Sequence, residues 1–360
     1  MPMSHPYTKL PFHAFWRSGV AKADITRFKG LFRPKFPITD EMSFATAGSC
    51  FAQHIGRFLR MAGCDVLEAE QPPELMSKPL AHQFGYSLFS GRYGNIYTTR
   101  QMRQLLEDVA TGFTDKRYVW SKGKQFVDAF RPTVEPEGLK SEDGVLLHRA
   151  YHLKRTSQML KQADLFVFTL GLTETWVDAE TGRAFPSCPG VAAGTFDADQ
   201  HLFYNMPTAD ILADLGDIRR ALKRFNPDMK LLLTVSPVPL TATAADDHVL
   251  SATTWSKSAL RAAAGEFARE HDDVDYFPSF ELVTSHATGG PWFDANLRGV
   301  REDAVERVMS IFFDSTGLAP MDEHTAPPEP TDSAAEEDAG SDTDLICDDL
   351  LLDAFAEPDT

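Results

Sequence analysis

The chain has 360 residues, of which 43% are hydrophobic, and its formal net charge is −17. Residues 321–360 contain 14 Asp or Glu and no Lys or Arg, so the rest of the chain, 1–320, carries only −3. This length and apolar content suit one large domain or two small ones, and the near-neutral charge of 1–320 argues against a nucleic-acid-binding protein, which needs a clustered basic face.

The first predicted elements surround a Gly-Ser pair. Residues 1–40 are rich in Pro, Phe and basic residues without periodicity, and we expect an extended arm that packs on the domain. An apolar stretch at 42–47 predicts a strand, and the apolar spacing of residues 51–62 predicts a helix directly after it. Ser49 therefore falls in a tight turn between a strand and a helix.

A serine in such a turn has a hydroxyl at the carboxyl end of a sheet, beside the amides of a helix N-terminus. Those amides and the helix dipole favour the negative charge that develops during acyl transfer. Ser49 is therefore a candidate nucleophile. The alternative interpretation is a plain N-cap, because serine is favoured at that position.

The remaining elements predict an α/β fold. A short strand at 64–67 precedes an irregular region at 70–140 that contains one helix near 98–111. Near-continuous apolar strands then alternate with helices, which indicates a parallel sheet covered on both faces. The strands are expected at 164–170, 230–235 and 274–277, and the helices at 148–162, 208–225, 254–271 and 300–313.

Five parallel strands fit a flavodoxin-like three-layer sandwich. Ser49, the run 171–174 and Ser236 all follow predicted strands, so we expect them at one edge of the sheet in one shared site. The expected domain covers residues 1–320, with an irregular insertion at about 70–145.

Residues 321–360 are predicted to be a disordered acidic tail. Its last part, 344–355, combines acidic and bulky apolar residues and could fold as a helix on a protein partner. A purely solubilising tail is the alternative.

The cysteines Cys50, Cys64, Cys188 and Cys347 form no C-x-x-C pair and no secreted disulfide framework, so a reducing, cytoplasmic setting is expected. The segment 1–20 lacks the apolar core of a secretory signal peptide. No stretch of apolar residues is long enough to span a bilayer, so no membrane-spanning segment is expected.

Four runs of this sequence resemble motifs of the GSCFA domain family, over roughly residues 40–315. They are Gly48-Ser49-Cys50-Phe51-Ala52, the run 170–176 (LGLTETW), the run 234–239 (TVSPVP) and the run 256–261 (SKSALR). That family is similar to the GDSL/SGNH hydrolases. The resemblance implies an SGNH-like fold and Ser49 as the catalytic serine.

The resemblance also implies partners for the serine. Oxyanion or substrate contacts would come from the turn itself and from two further blocks of sequence. The second block is the run 93–96, and the third is the run 171–174, in which Thr173 stands where SGNH hydrolases have Asn. Glu174 would hold a neighbouring group or accept a sugar hydroxyl, or would cap the next helix. The oxyanion and substrate-binding candidates are Gly48, Cys50, Gly94, Asn95 and Gly171.

This sequence departs from the SGNH pattern at the general base. SGNH hydrolases take Asp and His from an Asp-x-x-His block before the last helix, but residues 291–300 contain no His. His286 and His54 are the substitutes, with His248 as a further candidate. Cys50 is a rival nucleophile, because a thiol at a helix N-terminus is activated.

The resemblance implies a serine hydrolase or acyltransferase that acts on an O-acyl ester, for example O-acetyl groups of a bacterial glycan, through an acyl-serine. The alternative is a non-catalytic binding or scaffold protein that keeps the fold. No cofactor is expected, because no Gly-rich phosphate loop is present. No metal is expected either, because His148 and His152 lack the Glu of a zinc-binding helix and have Arg149 and Lys154 beside them.

Overall fold

The computed structural model of the chain describes residues 5–24, 28–318 and 351–352. The N-terminal arm starts with short, mostly exposed helical turns at Pro6–Lys9, Phe12–Ala14 and Arg17–Ala21. From Phe28 onward the arm packs on the domain, because Phe28, Phe32, Phe36 and Ile38 are buried in one core cluster. The predicted packing is therefore confirmed for 28–38.

Helices and strands alternate through most of the chain. The strands are β1 Ser43–Gly48, β2 Asp65–Val66, β3 Val119–Lys122, β4 Gln125–Asp128, β5 Leu165–Leu170, β6 Glu174–Asp178, β7 Ala184–Phe185, β8 His201–Asn205, β9 Lys230–Val235 and β10 Val274–Tyr276. The helices are α1 Phe51–Met61, α2 Lys78–Gln83, α3 Thr99–Thr111, α4 Glu142–Leu160, α5 Thr208–Phe225, α6 Val249–Glu270, α7 Ser279–Thr284 and α8 Glu302–Thr316.

The central sheet has five parallel strands in the order β10-β9-β5-β1-β2. Counted along the chain, this is the 2-1-3-4-5 order of flavodoxin-like folds. The predicted α/β class and five-stranded parallel sheet are confirmed. The apolar residues of β5 and β9 are buried on both faces of the sheet, as expected for central parallel strands.

Helices form a layer on each face of the central sheet. On one face, α3, α4, α5 and α6 supply side chains such as Leu106, Leu153, Leu215 and Leu260. On the other face, α1, α7 and α8 pack with the arm around Phe312. The three layers leave the carboxyl ends of the strands as the open edge, which is where ligands bind in such sheets.

The arm reaches the outer strand of this sheet. The Lys35 backbone amide donates to Asp275 Oδ2 at 2.8 Å, and Lys35 Nζ donates to the Val274 carbonyl at 3.0 Å. Both partners lie in β10, so the arm is tied to an edge strand.

Two small antiparallel sheets were not predicted. One is the hairpin β3–β4, and the other has the order β7-β6-β8. The expectation that Glu174 caps a helix is wrong, because Glu174 is the first residue of β6. Strands this short, with little alternation between buried and exposed positions, give almost no period-2 pattern to detect.

Most predicted boundaries agree within two or three residues, but two helices begin earlier than predicted. Helix α4 begins at Glu142, where Ser141 Oγ accepts from the Gly144 amide, and α6 begins at Val249 after the N-cap His248. The predicted tail lies outside the described residues except for Leu351 and Leu352. Within the described part of the chain, no helix combines the length and the apolar character needed to cross a bilayer.

Candidate active site

The turn that carries Ser49 requires glycine before it. Strand β1 ends at Gly48, Cys50 is the N-cap, and α1 starts at Phe51. Gly48 has a φ of 144°, and a Cβ there would lie 2.4 Å from the Thr169 carbonyl oxygen. Only glycine fits this geometry, so the sequence itself fixes the tight approach of β1 to β5 that positions Ser49.

The Ser49 side chain is buried and unsatisfied. The residue is 3% exposed, and its Oγ has no hydrogen-bond partner among the described residues. It lines a small cavity of about 10 Å³, room for about one water molecule. A buried hydroxyl without a partner is costly, so an unpaired one is often found where function requires it.

Residues that follow β1, β5 and β9 converge on this cavity, but of the predicted run 171–174 only Gly171 and Leu172 line it. Gly171 follows β5, Ser236 follows β9, and Tyr97 from the preceding insertion accepts hydrogen bonds from the Gly171 and Leu172 amides at 3.0 and 2.9 Å. The residues that line the cavity are Ser49, Cys50, Tyr97, Gly171, Leu172, Ser236, Val238, Pro239 and Lys257. We refer to it below as the serine cavity.

Lys257 is the site residue that sequence reasoning missed. It lies on α6, is 3% exposed, and donates from Nζ to the Gly171 carbonyl at 2.6 Å. A signal for it existed in the sequence. Lys257 occupies the same helical stripe as Leu260, Ala264 and Phe267, all buried, and a lysine in an apolar stripe is unusual.

Thr173 does not line the serine cavity. It is fully buried, its Oγ1 donates to Asn205 Oδ1 at 2.7 Å, and its amide donates to Ser256 Oγ at 3.1 Å. The hydroxyl and the amide of Thr173 are therefore both used within the protein. They connect the start of β6 to β8 and to α6.

Glu174 lies in a second, larger cavity that adjoins the first. Its carboxylate accepts from Thr243 Oγ1 at 2.6 Å and from the Ala244 amide at 3.3 Å. Burial raises the pKa of the Glu174 carboxyl, and these two hydrogen bonds oppose the rise. The cavity has a volume of about 440 Å³ and shares Tyr97 and Leu172 with the serine cavity.

We call this larger cavity the apolar pocket. Strands β6 and β8, the segment after β7 and the loop 240–244 form its walls, and its apolar lining consists chiefly of Leu172, Trp176, Phe185, Val191, Phe203 and Leu240. Leu352, from the end of the chain, also lines it.

The Gly94-Asn95 block lies beside the Ser49 turn. The Ile96 amide donates to the Gly48 carbonyl at 2.8 Å, and Asn95 Oδ1 accepts from Gln53 Nε2 at 3.5 Å. Asn95 lines a different cavity of about 30 Å³ rather than the serine cavity.

None of the candidate histidines lines the serine cavity. His54 is buried against Phe51, with Nδ1 3.3 Å from Arg57 Nη2, and burial together with Arg57 lowers its pKa to about 3. His286 is exposed and stacks on Trp16, with ring centroids 6.0 Å apart. His248 accepts from the Leu250 amide at the start of α6.

His148 and His152 belong to a buried ionic network. His152 Nδ1 lies 2.6 Å from Glu70 Oε1, and desolvation together with Arg131 lowers the pKa of His152 to about 4. Among residues 5–24, 28–318 and 351–352, no group of three or more side chains is arranged to hold a metal ion.

Comparison with known proteins gives a family. The model of the family described as GSCFA family matches residues 43–312, three quarters of the chain. Among curated proteins, none matches this chain significantly.

Several solved structures resemble the chain, among them the following two. A carbohydrate esterase family 3 structure from Talaromyces cellulolyticus has 9% identity and a TM-score of 0.35, with 77% of this chain and 96% of that chain covered. A mutant acetyl esterase with acetate ion has 8% identity, the same TM-score of 0.35 and the same coverage of 77% and 96%. At these values, the matches say nothing about the reaction of this chain.

Proposed function

The chain belongs to the GSCFA family, and we propose that it cleaves or transfers an O-acyl ester through an acyl-Ser49 intermediate. One observation carries the proposal. The Ser49 hydroxyl is buried without a hydrogen-bond partner among the described residues, in a cavity that it shares with the buried amine of Lys257.

Ser49 meets the requirements of a nucleophile. It lines a cavity at the carboxyl edge of the sheet, and helix α1 begins two residues later. The amino end of a helix favours negative charge. The oxyanion of a tetrahedral intermediate would form beside this helix end, with Gly48, Cys50 and Gly171 as the proposed surrounding residues.

Lys257 is the proposed general base in place of the missing histidine. A lysine acts as a base only in its neutral form, and burial favours the neutral form of an amine. A neutral amine has two N–H groups and one lone pair. One N–H can donate to the Gly171 carbonyl, which fixes the amine, while the lone pair accepts the Ser49 proton.

The reaction balances with these two groups alone. Ser49 Oγ bonds to the ester carbonyl carbon, and its proton moves to Lys257 Nζ. The bond from that carbon to the alcohol oxygen breaks, and Lys257 returns the proton to the leaving alcohol. Water or a second alcohol then attacks acyl-Ser49, gives its proton to Lys257, and the Ser49 oxygen recovers that proton as the acyl group leaves.

Ser49 Oγ makes no hydrogen bond to any described residue, Lys257 included. Catalytic hydrogen bonds often tighten only when substrate is bound, so we expect the Ser49–Lys257 hydrogen bond to form in the substrate complex. The histidines His54 and His286 remain alternative bases only if such binding moves them to the cavity.

The choice between hydrolysis and transfer depends on the acceptor. The serine cavity has room for about one water molecule, which favours hydrolysis, and the adjoining apolar pocket could admit an acceptor alcohol through its hydroxyl group. Glu174 on its wall would accept a hydrogen bond from such a hydroxyl. We further propose a cytoplasmic location, because the described cysteines Cys50, Cys64 and Cys188 form no disulfide.

A binding or scaffold protein is the second candidate. It is favoured by Thr173, whose hydroxyl is used by Asn205 and is not offered to an oxyanion. It predicts an inert Ser49, whereas the enzyme predicts a reactive one.

A fluorophosphonate label separates the two candidates. We expect wild-type protein to be labelled on one serine, Ser49→Ala to lose the label, and Ser236→Ala to keep it, because Ser236 lines the same cavity and is the matched control. No labelling of the folded wild type, or a label that persists in Ser49→Ala, contradicts the proposed function.

A further inference from the structure

We propose that the apolar pocket holds the acyl chain of the substrate, and that this chain is a medium-length or aromatic acyl group rather than acetyl. The inference rests on the proposed function of Ser49, because it identifies the substrate of that same site. The first argument is position. The apolar pocket and the serine cavity share Tyr97 and Leu172, so a carbonyl carbon at Ser49 has its acyl chain at the entrance of the pocket.

The second argument is size. The pocket has a volume of about 440 Å³, within the range of cavities that enclose whole small ligands. An acetyl group adds a single methyl beyond the carbonyl and would leave most of this apolar wall in contact with water. A chain of several methylenes or a ring would cover it, and burial of each methylene is favourable.

The third argument is chemistry. Aromatic and aliphatic side chains form most of the lining. Among the described residues that line the pocket, Glu174 is the only charged one. Much of the polar lining is already paired. Gln101 Oε1 accepts from the Thr98 amide at 2.9 Å, Thr175 Oγ1 donates to the Phe185 carbonyl at 2.9 Å, and Glu174 accepts from the loop 240–244.

The hydroxyls of Ser187 and Thr241 are the polar exceptions, because neither has a partner among the described residues. Both hydroxyl oxygens are buried, so the exposed wall of the pocket offers few polar partners to a fully hydroxylated ligand. The absence of a described cation in the lining disfavours an anionic substrate, and Glu174 would repel the carboxylate product and so assist its release.

The fourth argument is that an aliphatic side chain already lies there. Leu352 lines the same pocket as Trp176, although the two residues are far apart in the sequence. The wall therefore accepts a branched aliphatic group, which is the chemistry expected of an acyl-chain site.

The test uses p-nitrophenyl acetate, hexanoate and octanoate with the full-length chain. We expect kcat/KM to rise by about fourfold per added methylene, the rate equivalent of burying one methylene. Val191→Trp and Ala242→Trp each place a large ring in the pocket, and the exposed position of Ala242 makes the second variant safe for folding.

Both variants are expected to lower the octanoate-to-acetate ratio of kcat/KM by at least tenfold. Leu202→Trp is the matched control, because Leu202 is an exposed neighbour of Phe203 on β8 and does not line the pocket. It is expected to leave that ratio unchanged.

A flat or falling ester series that still requires Ser49 overturns the acyl-chain inference and leaves the proposed function intact. Loss of all Ser49-dependent turnover and labelling overturns the proposed function, and the pocket is then judged by binding. Ser49→Ala protein is titrated with methyl octanoate and methyl acetate, with tryptophan fluorescence as the signal from Trp176. Tighter binding of the octanoate ester that is lost with Val191→Trp supports the inference, and equal binding of the two esters overturns it.

Discussion

Gly171 lies directly against Ser49: a Cβ at residue 171 would come 2.9 Å from Ser49 Cβ and 3.1 Å from the Tyr97 carbonyl oxygen. Neither neighbour can move freely, because Tyr97 accepts from the Gly171 amide and Ser49 is fixed in the turn between β1 and α1. The absence of a side chain at residue 171 therefore sets where the Ser49 hydroxyl can be.

Gly171→Ala should consequently displace Ser49 and slow its fluorophosphonate labelling at least tenfold. Overpacking of this kind also costs stability, on the order of 1–3 kcal/mol. Gly216→Ala is the control, since its Cβ would meet only the flexible end of Arg220, and alanine favours helix α5. Labelling of Gly171→Ala at the wild-type rate would show that the close contact is unimportant.

Lys257→Met should abolish most of the Ser49 reactivity, because methionine fills a similar volume without an amine. General bases contribute about 10²–10⁴-fold, so we expect a loss in that range for labelling and for ester turnover. Lys257→Arg should not restore activity, since a guanidinium keeps its proton. The exposed Lys154→Met is the control.

The folded state of Lys257→Met must be checked before a loss of activity is assigned to a missing base. The Gly171 carbonyl loses its donor in this variant, at a cost of about 1–3 kcal/mol, so a thermal melt must confirm that the protein is folded. Full activity in folded Lys257→Met would remove Lys257 from the mechanism.

His54 should make the fold sensitive to acid. Its pKa is lowered to about 3 in the folded state, chiefly by burial, while an unfolded histidine titrates near 6.5. Between these values the unfolded chain binds the extra proton, so the free energy of unfolding falls as the pH falls.

His54→Leu should therefore lose about 2 kcal/mol less stability than wild type between pH 7 and pH 5. Urea unfolding at the two pH values measures the difference, with the exposed His286→Leu as the control. Equal losses in His54→Leu and wild type would contradict the assignment. Loss of Ser49 labelling in folded His54→Leu would instead restore His54 as the base.

Removal of residues 321–360 should leave the thermal midpoint unchanged within about two degrees. The segment has 14 acidic and no basic residues, and its apolar residues are few and clustered. Differential scanning calorimetry of the full and shortened chains measures this. A drop of many degrees would mean that the segment packs on the domain well beyond the contact of Leu352 with the apolar pocket.

The sheet could be predicted because its strands are long apolar runs next to periodic helices. Strand β9 occupies the predicted residues Lys230–Val235. The sheet β7-β6-β8 could not be predicted, because its short strands show no local pattern of buried and exposed residues. Their pairing depends on tertiary contacts, such as the hydrogen bond between Thr173 and Asn205. As a result, the apolar pocket that this sheet helps to form could not be predicted from the sequence.

The site was predictable where backbone geometry determines it and not where tertiary packing does. Gly48 and Ser49 follow from a strand that meets a helix. Lys257 reaches the serine cavity from a helix much later in the chain, through the packing of α6 on the sheet, and no local spacing links it to Ser49. The candidate histidines follow from the resemblance to SGNH hydrolases, and the fold places none of them at the serine cavity.

The tie between Lys35 and β10 has a consequence for how molecules of this protein meet one another. An outer strand presents backbone groups that a second molecule can pair with, which leads to intermolecular sheets and aggregation. Here the amide and the amine of Lys35 engage the side chain of Asp275 and the backbone of Val274 in that strand, and the other outer strand, β2, is only two residues long. The arm thus occupies part of this outer strand's edge, and a chain that begins after residue 38 should self-associate more as its concentration rises.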